Sequence, residues 1–119
     1  MEAASAKSLT DLLPPEILNL PKVEVPVDGV TGFCMNDDEK QIVFFVFEEG
    51  VSFPDHAHCD QRGVVISGEM TLEVNGETNL YEAGDSYEVA EGVVHRANFS
   101  TRTILVDMSD APDRYTLNY

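Results

Sequence analysis

The chain has 119 residues, of which 43% are hydrophobic, so it is long enough to bury the core of one domain. Its 22 acidic and 7 basic residues give a formal net charge of -15 at pH 7, and such a field repels phosphate backbones and anionic lipid surfaces. We therefore expect neither a nucleic-acid partner nor a membrane partner.

The number of cysteines and the hydropathy of the chain indicate the cellular compartment of the protein. Cys34 and Cys59 are too few for a disulfide framework, and their spacing matches no CxxC or zinc-ribbon pattern. The first residues lack the long apolar run of an export signal, and nowhere do eighteen apolar residues follow one another. These observations predict a reduced, cytoplasmic protein.

Residues 1–22 are predicted to form an N-terminal arm. A short helix is expected around Ser8 to Leu13, and the prolines at positions 14, 15 and 21 should interrupt anything longer. From residue 23 to residue 119, short runs of Val, Ile, Phe, Tyr and Thr are separated by glycines and acidic turns, which is typical of a single all-β domain. We expect about eight to ten short strands in a jelly-roll barrel.

The run Ile42 to Phe47 is apolar on both faces of its predicted strand. One face should line the barrel interior, and the other should be covered by a second sheet, by the arm or by another subunit. Val64 and Ile66 are expected on the outward face of a later strand. Together these surfaces predict a homodimer, which sedimentation at micromolar concentration would reveal.

Glycines punctuate the second half of the chain at intervals of eight residues, as expected if each closes one strand and opens the next. They are Gly68, Gly76, Gly84 and Gly92. Asn75-Gly76 is the dipeptide best suited to a type I′ hairpin turn, because both central residues of that turn need a positive φ.

The three histidines of the chain occupy two short segments. On a strand, His56-Ala57-His58 places both imidazoles on one face. His95 shares its predicted face with Val93 and Ala97, so it should point inward. Neutral imidazole is the commonest metal ligand, and three such groups predict a metal site inside the barrel.

Gln61 is the predicted fourth ligand. It opens a run in which small residues share its face, leaving room at the centre of the barrel; they are Gly63, Val65 and Ser67. Cys59 and Asp60 are also ligands by chemistry, but they sit in the tight connection after His58, so Asp60 is kept only as a reserve ligand.

The residues around the first two histidines resemble the first motif of the cupin superfamily. Gly50, His56, His58, Gln61 and Gly68 follow the order of that motif. Here the gap after the second histidine is two residues instead of three or four, and an amide replaces the family's acidic ligand.

A second resemblance lies around the third histidine. Gly84, Ala90, Gly92 and His95 match the spacing of the second cupin motif, although Ala90 replaces its proline and Phe99 its asparagine. The resemblance implies a double-stranded β-helix, or jelly-roll barrel, in a small single-domain cupin. It also implies one divalent transition metal, Fe, Mn, Ni, Zn or Cu, held by four residues: His56, His58, Gln61 and His95.

Three functions follow from these features, and the sequence leaves open whether the protein is an enzyme. The first is a metalloenzyme of dioxygenase, isomerase, lyase or cyclase type acting on a small organic substrate, with Tyr87 as the catalytic residue suited to proton transfer. The second is a non-catalytic barrel that binds or senses a small molecule or metal. The third is a site made vestigial by Gln61. No inward carboxylate is expected as a general base, because Glu69, Glu73 and Glu88 alternate with core positions.

Overall fold

The structure is a computed structural model that describes residues 12–56, 61–111, 115 and 117–118. These residues form an all-β fold with a short helix, α1, at Pro15–Leu18, and Leu12 is helical as well. The strands are β1 (Lys22–Val23), β2 (Val30–Asn36), β3 (Gln41–Phe47), β4 (Ser52–His56), β5 (Gln61–Ser67), β6 (Glu69–Val74), β7 (Glu77–Glu82), β8 (Ser86–Val89), β9 (His95–Asn98), β10 (Thr103–Ser109) and β11 (Leu117–Asn118).

The strands form two antiparallel sheets. The larger sheet has the order β11-β1-β2-β3-β10-β5-β8, and the smaller one has the order β4-β9-β6-β7. Side chains from both sheets meet in one buried cluster, which includes Phe45 and Leu105 from the larger sheet and Leu72 and Ala97 from the smaller. The predicted jelly-roll architecture is therefore confirmed, although the sheets do not close into one continuous cylinder.

The turn between β6 and β7 has the predicted conformation. Asn75 has a φ of 52° and Gly76 a φ of 82°, and Val74 pairs directly with Glu77. Two consecutive residues with positive φ match the right-handed twist of the flanking strands, as a type I′ turn requires. The hairpin therefore sets the register of β6, which places Leu72 in the core.

The outer face of β3 is covered by the arm. Val46 is only 1% exposed and packs in a second cluster with Leu13, Phe33 and Ile104, against which Ile17 also lies. Burying a valine side chain in this way contributes about 2 kcal/mol. The sequence allowed a second sheet, the arm or another subunit to cover this face, and in this cluster the arm covers it.

Helix α1 differs from the predicted helix. Leu12 is helical and the chain leaves that helix at Leu13 and Pro14, as the prolines predicted. A separate helix, α1, then begins at Pro15, where a missing N–H costs nothing and the fixed φ suits a helix. The helix expected around Ser8 to Leu13 lies mostly outside the described residues. No helix in the described part of the chain is long and apolar enough to cross a membrane.

The homodimer remains a prediction, and only one of the two surfaces that suggested it still favours it. Because the arm covers β3, that strand no longer requires a second subunit. Ile66 is 53% exposed and Val64 is half-buried, so the outer face of β5 is now the surface that favours a dimer.

Candidate functional site

A cavity of about 40 Å³ lies between the two sheets. Its walls are mostly apolar and aromatic: the rings of Phe47 and Phe99 stack with centroids 3.9 Å apart, and Phe53 meets Phe47 edge-on. The polar side chains that line it include Gln61, Tyr87, His95 and Asp107. A few polar groups therefore face a space lined mostly by aromatic rings and aliphatic side chains, which is the usual composition of a small-ligand site.

One ring nitrogen of His95 faces a backbone carbonyl, which favours one tautomer of the imidazole. The side chain is 4% exposed, as its inward orientation predicted, and its Nδ1 lies 3.0 Å from the carbonyl oxygen of Val93. A carbonyl can only accept, so Nδ1 carries the proton and the lone pair of the neutral ring stays on Nε2. Fixing one ring nitrogen in this way is how proteins orient a ligating imidazole.

The backbone of the first histidine segment lies beside His95. His56 in β4 is the direct cross-strand partner of His95 in β9. The structure describes only the backbone of His56, and His58 lies outside the described residues, as do Cys59 and Asp60. The pairing brings the two histidine segments together, while the convergence of their rings remains a prediction.

Gln61 enters the cavity from the opposite sheet. Its Nε2 donates a hydrogen bond to Asp107 Oδ1 at 2.5 Å. The amide must have this orientation, because a carbonyl oxygen would be repelled by a carboxylate oxygen. Its Oε1 is consequently turned away from Asp107, and this buried oxygen has no hydrogen-bond partner among the described residues. An unsatisfied buried acceptor costs about 1–3 kcal/mol, so the position suits a ligand or cation.

The room that the small residues of β5 were expected to leave is filled by Tyr87. Asp107, Gly63 and Tyr87 lie side by side across β10, β5 and β8. Because Gly63 has no side chain, the Tyr87 ring lies over it, and the hydroxyl donates to Asp107 Oδ1 at 2.7 Å. A Cβ at Gly63 would overlap the carbonyl oxygen of Val106 and lie 2.5 Å from the Tyr87 hydroxyl.

Asp107 corrects the expectation that no carboxylate points inward. It is 1% exposed and lines the cavity. Strand parity could have found it, because Thr103, Leu105 and Asp107 alternate along β10 and all three are buried. A buried carboxylate is tolerated here because hydrogen bonds from Tyr87 and Gln61 replace part of its hydration.

The C-terminal segment packs on its own barrel. The side chain of Gln41 accepts a hydrogen bond from the backbone N–H of Tyr115 and donates one to its carbonyl oxygen, at 2.8 and 3.0 Å. The Tyr115 ring lies edge-on to Phe45, 5.5 Å between centroids, and lines the cavity. Beyond it, β11 pairs with β1. Tyr115 therefore contributes one wall of the cavity.

Burial raises the pKa of Tyr87 well above its ordinary value of 10.0, and the neighbouring Asp107 raises it further, while a hydrogen bond from Gln61 acts in the opposite direction. The phenol therefore stays protonated through the neutral range. At neutral pH it can donate a hydrogen bond or pass a proton on, but it cannot act as a preformed phenolate.

This pKa predicts how stability depends on pH. Because the pKa of Tyr87 is higher in the folded than in the unfolded chain, its contribution is complete below about pH 10 and is lost as pH rises through the folded value. Above pH 10, the free energy of unfolding should fall more steeply in the wild type than in Tyr87→Phe, by up to about 1.4 kcal/mol per pH unit. Urea unfolding between pH 8 and 11.5 measures both slopes, and equal slopes would contradict the prediction.

Comparison with known proteins gives a family match and several structural neighbours. The family described as "Cupin domain" matches residues 43–107. An RmlC-like cupin from Shewanella frigidimarina is 30% identical, with a TM-score of 0.70 over 79% of this chain and 86% of that one. No curated protein sequence matches the chain.

Two further neighbours have similar folds at lower identity. KdgF from Halomonas sp. is 21% identical, with a TM-score of 0.67 over 76% of this chain and 87% of that one. Salicylate 1,2-dioxygenase from Pseudoaminobacter salicylatoxidans, in its structure with gentisate, is 19% identical, with a TM-score of 0.68 over 79% of this chain but only 30% of that one. At these identities the likeness concerns the fold alone.

Proposed function

Because this chain belongs to the cupin family, we propose that its barrel holds one divalent transition metal on His56, His58, Gln61 and His95. The observation that carries the proposal is the Oε1 of Gln61, a buried oxygen without a hydrogen-bond partner among the described residues, in the same cavity as His95. No three His, Cys, Asp or Glu side chains converge within the described residues, which include only one of the three histidine side chains.

The proposed donor set is chemically suited to such an ion. Imidazole nitrogens bind Fe, Ni, Zn and Cu, and an oxygen donor extends the range to Mn. Three neutral imidazoles and a neutral amide leave both positive charges of the ion uncompensated at the ligands. When bound, the ion would supply Lewis-acid polarisation of a substrate oxygen or a centre for oxygen chemistry.

We propose that the protein is a metalloenzyme of dioxygenase, isomerase, lyase or cyclase type acting on a small organic molecule. The ring walls of Phe47, Phe53 and Phe99 favour an apolar or planar group. Tyr87 is the proposed catalytic residue, because it lines the cavity and its hydroxyl, hydrogen-bonded to Asp107, can hold or pass on a proton there. The cavity has room for only a few waters, so only a small part of a substrate would reach this depth.

The small cavity also favours a second function, a barrel that binds a metal or small molecule without turning it over. A screen of metal-loaded protein against small phenols, carboxylic acids, keto acids and sugar acids separates the two. Metal-dependent conversion of any of them would exclude a pure binding module, whereas tight binding without conversion across the screen would favour it.

Metal analysis of the purified protein is the direct test of the site. We expect about one equivalent of transition metal per chain, and chelation should lower the melting temperature, because an ion that binds only the folded state stabilises it. Protein purified from metal-replete medium without bound metal, and with an unchanged melting temperature after chelation, would instead indicate a vestigial site.

We propose that the protein is cytoplasmic and forms a homodimer. Cys34 is buried as a free thiol, which suits a reducing compartment. The net charge of -15 favours small-molecule over nucleic-acid partners.

A further inference from the structure

We propose, on the basis of the proposed metal site, that Asp107 supplies the negative charge that the neutral ligand set lacks, acting through the amide of Gln61. Asp107 is a positioning residue in this arrangement, since it touches Gln61 and not the ion. Gln61 and Asp107 together would then do what a directly bound carboxylate does.

The geometry supports a role for this one carboxylate. Among the cavity-lining residues that the structure describes, Asp107 is the only Asp or Glu. Its Oδ1 accepts hydrogen bonds from Gln61 Nε2 and from the Tyr87 hydroxyl, so one oxygen is anchored from two strands. At 1% exposure its charge is little screened by water and acts strongly on nearby groups.

The chemistry of the amide carries that charge to the site. A carboxylate that accepts a hydrogen bond from an amide N–H favours the resonance form with negative charge on the amide oxygen. The Oε1 of Gln61 therefore becomes a stronger donor than the oxygen of a solvated glutamine. The same hydrogen bond fixes the amide so that Oε1, and not Nε2, faces away from Asp107 into the buried space.

The position of Asp107 depends on Gly63. The side chain of Tyr87 can reach Asp107 only because the residue between them in the sheet has no Cβ. Side chains and backbone from β5, β8 and β10 thus hold the Asp107 carboxylate against the amide of Gln61. Mutation of a residue that hydrogen-bonds to a metal ligand usually weakens metal binding by about 10- to 100-fold.

Zinc affinity measured by competition with a chromophoric chelator tests the proposal. The Asp107→Asn substitution keeps the shape of the side chain and removes its negative charge. We therefore expect this variant to bind Zn²⁺ about 10- to 100-fold more weakly than the wild type. Arg96→Ala is the control: it removes an exposed side chain next to His95 in β9, and should change the affinity less than about 3-fold. Gln61→Glu in the Asp107→Asn background moves the charge onto the ligand and should restore most of the affinity.

The outcomes separate this inference from the metal site itself. If the wild type binds no Zn²⁺, both fail. If the wild type binds and His95→Ala does not, but Asp107→Asn binds as tightly as the wild type, only the inference is overturned; a double variant no tighter than Asp107→Asn would overturn it too. Should Asp107→Asn fail to fold without metal, a second comparison is used. Asp107→Leu combined with Tyr87→Phe replaces the buried pair by apolar groups, and its Zn²⁺ affinity is compared with that of Tyr87→Phe alone. Equal affinities would overturn the inference.

Discussion

Replacing His58 or His95 with alanine is expected to abolish stoichiometric metal binding. Each ring would supply one of only three nitrogen donors, so its loss should weaken binding by more than the roughly 10- to 100-fold that loss of an outer partner costs. For His95 the expectation rests on a buried ring whose Nδ1 faces the Val93 carbonyl and whose lone pair is on Nε2. Metal content after gel filtration, measured by mass spectrometry, gives the result.

Arg96→Ala is the matched control for the histidine variants. Arg96 follows His95 in β9, but its side chain is exposed, so its removal should leave the metal content unchanged. A chelator should lower the melting temperature of the wild type and of Arg96→Ala, and should leave that of His95→Ala unchanged. Full metal content in His58→Ala or His95→Ala would show that the site is assigned wrongly.

Gly63→Ala should destabilise the protein by about 3 kcal/mol, at the upper end of the usual cost of overpacking a core. The new methyl group would overlap the Val106 carbonyl oxygen, a backbone atom in the neighbouring strand, and would press on the Tyr87 ring. The ring would have to move away from Asp107, so the variant should also lose the hydrogen bond between them. Urea unfolding at pH 7.5 measures the change in the free energy of unfolding.

Ser67→Ala is the control for Gly63→Ala. Ser67 lies in the same strand with an exposed side chain, so its replacement should change the stability by less than about 0.5 kcal/mol. If Gly63→Ala were as stable as the wild type, the close approach of Tyr87 to the backbone of β5 would be wrong.

The features that the sequence predicted correctly follow from strand alternation and turn geometry. Alternation along β9 placed His95 inside, and the φ preferences of Asn75 and Gly76 predicted the hairpin; both are decided by neighbouring residues in the chain. The spacing of the two motifs indicated the family, which the match over residues 43–107 bears out. The same alternation could have marked Asp107, but the prediction considered only Glu69, Glu73 and Glu88.

By itself, then, the sequence determined the all-β class, the inward face of His95 and the candidate ligands, because strand parity and turn geometry are local. Only the tertiary structure decided that Asp107 lies beside Gly63 and Tyr87, because strand order depends on pairing between residues far apart in the chain. Gln61 and Asp107 are 46 positions apart, and no local pattern predicts their hydrogen bond. Gln61, the predicted fourth ligand, is therefore hydrogen-bonded to a buried carboxyl group that only the fold brings to it.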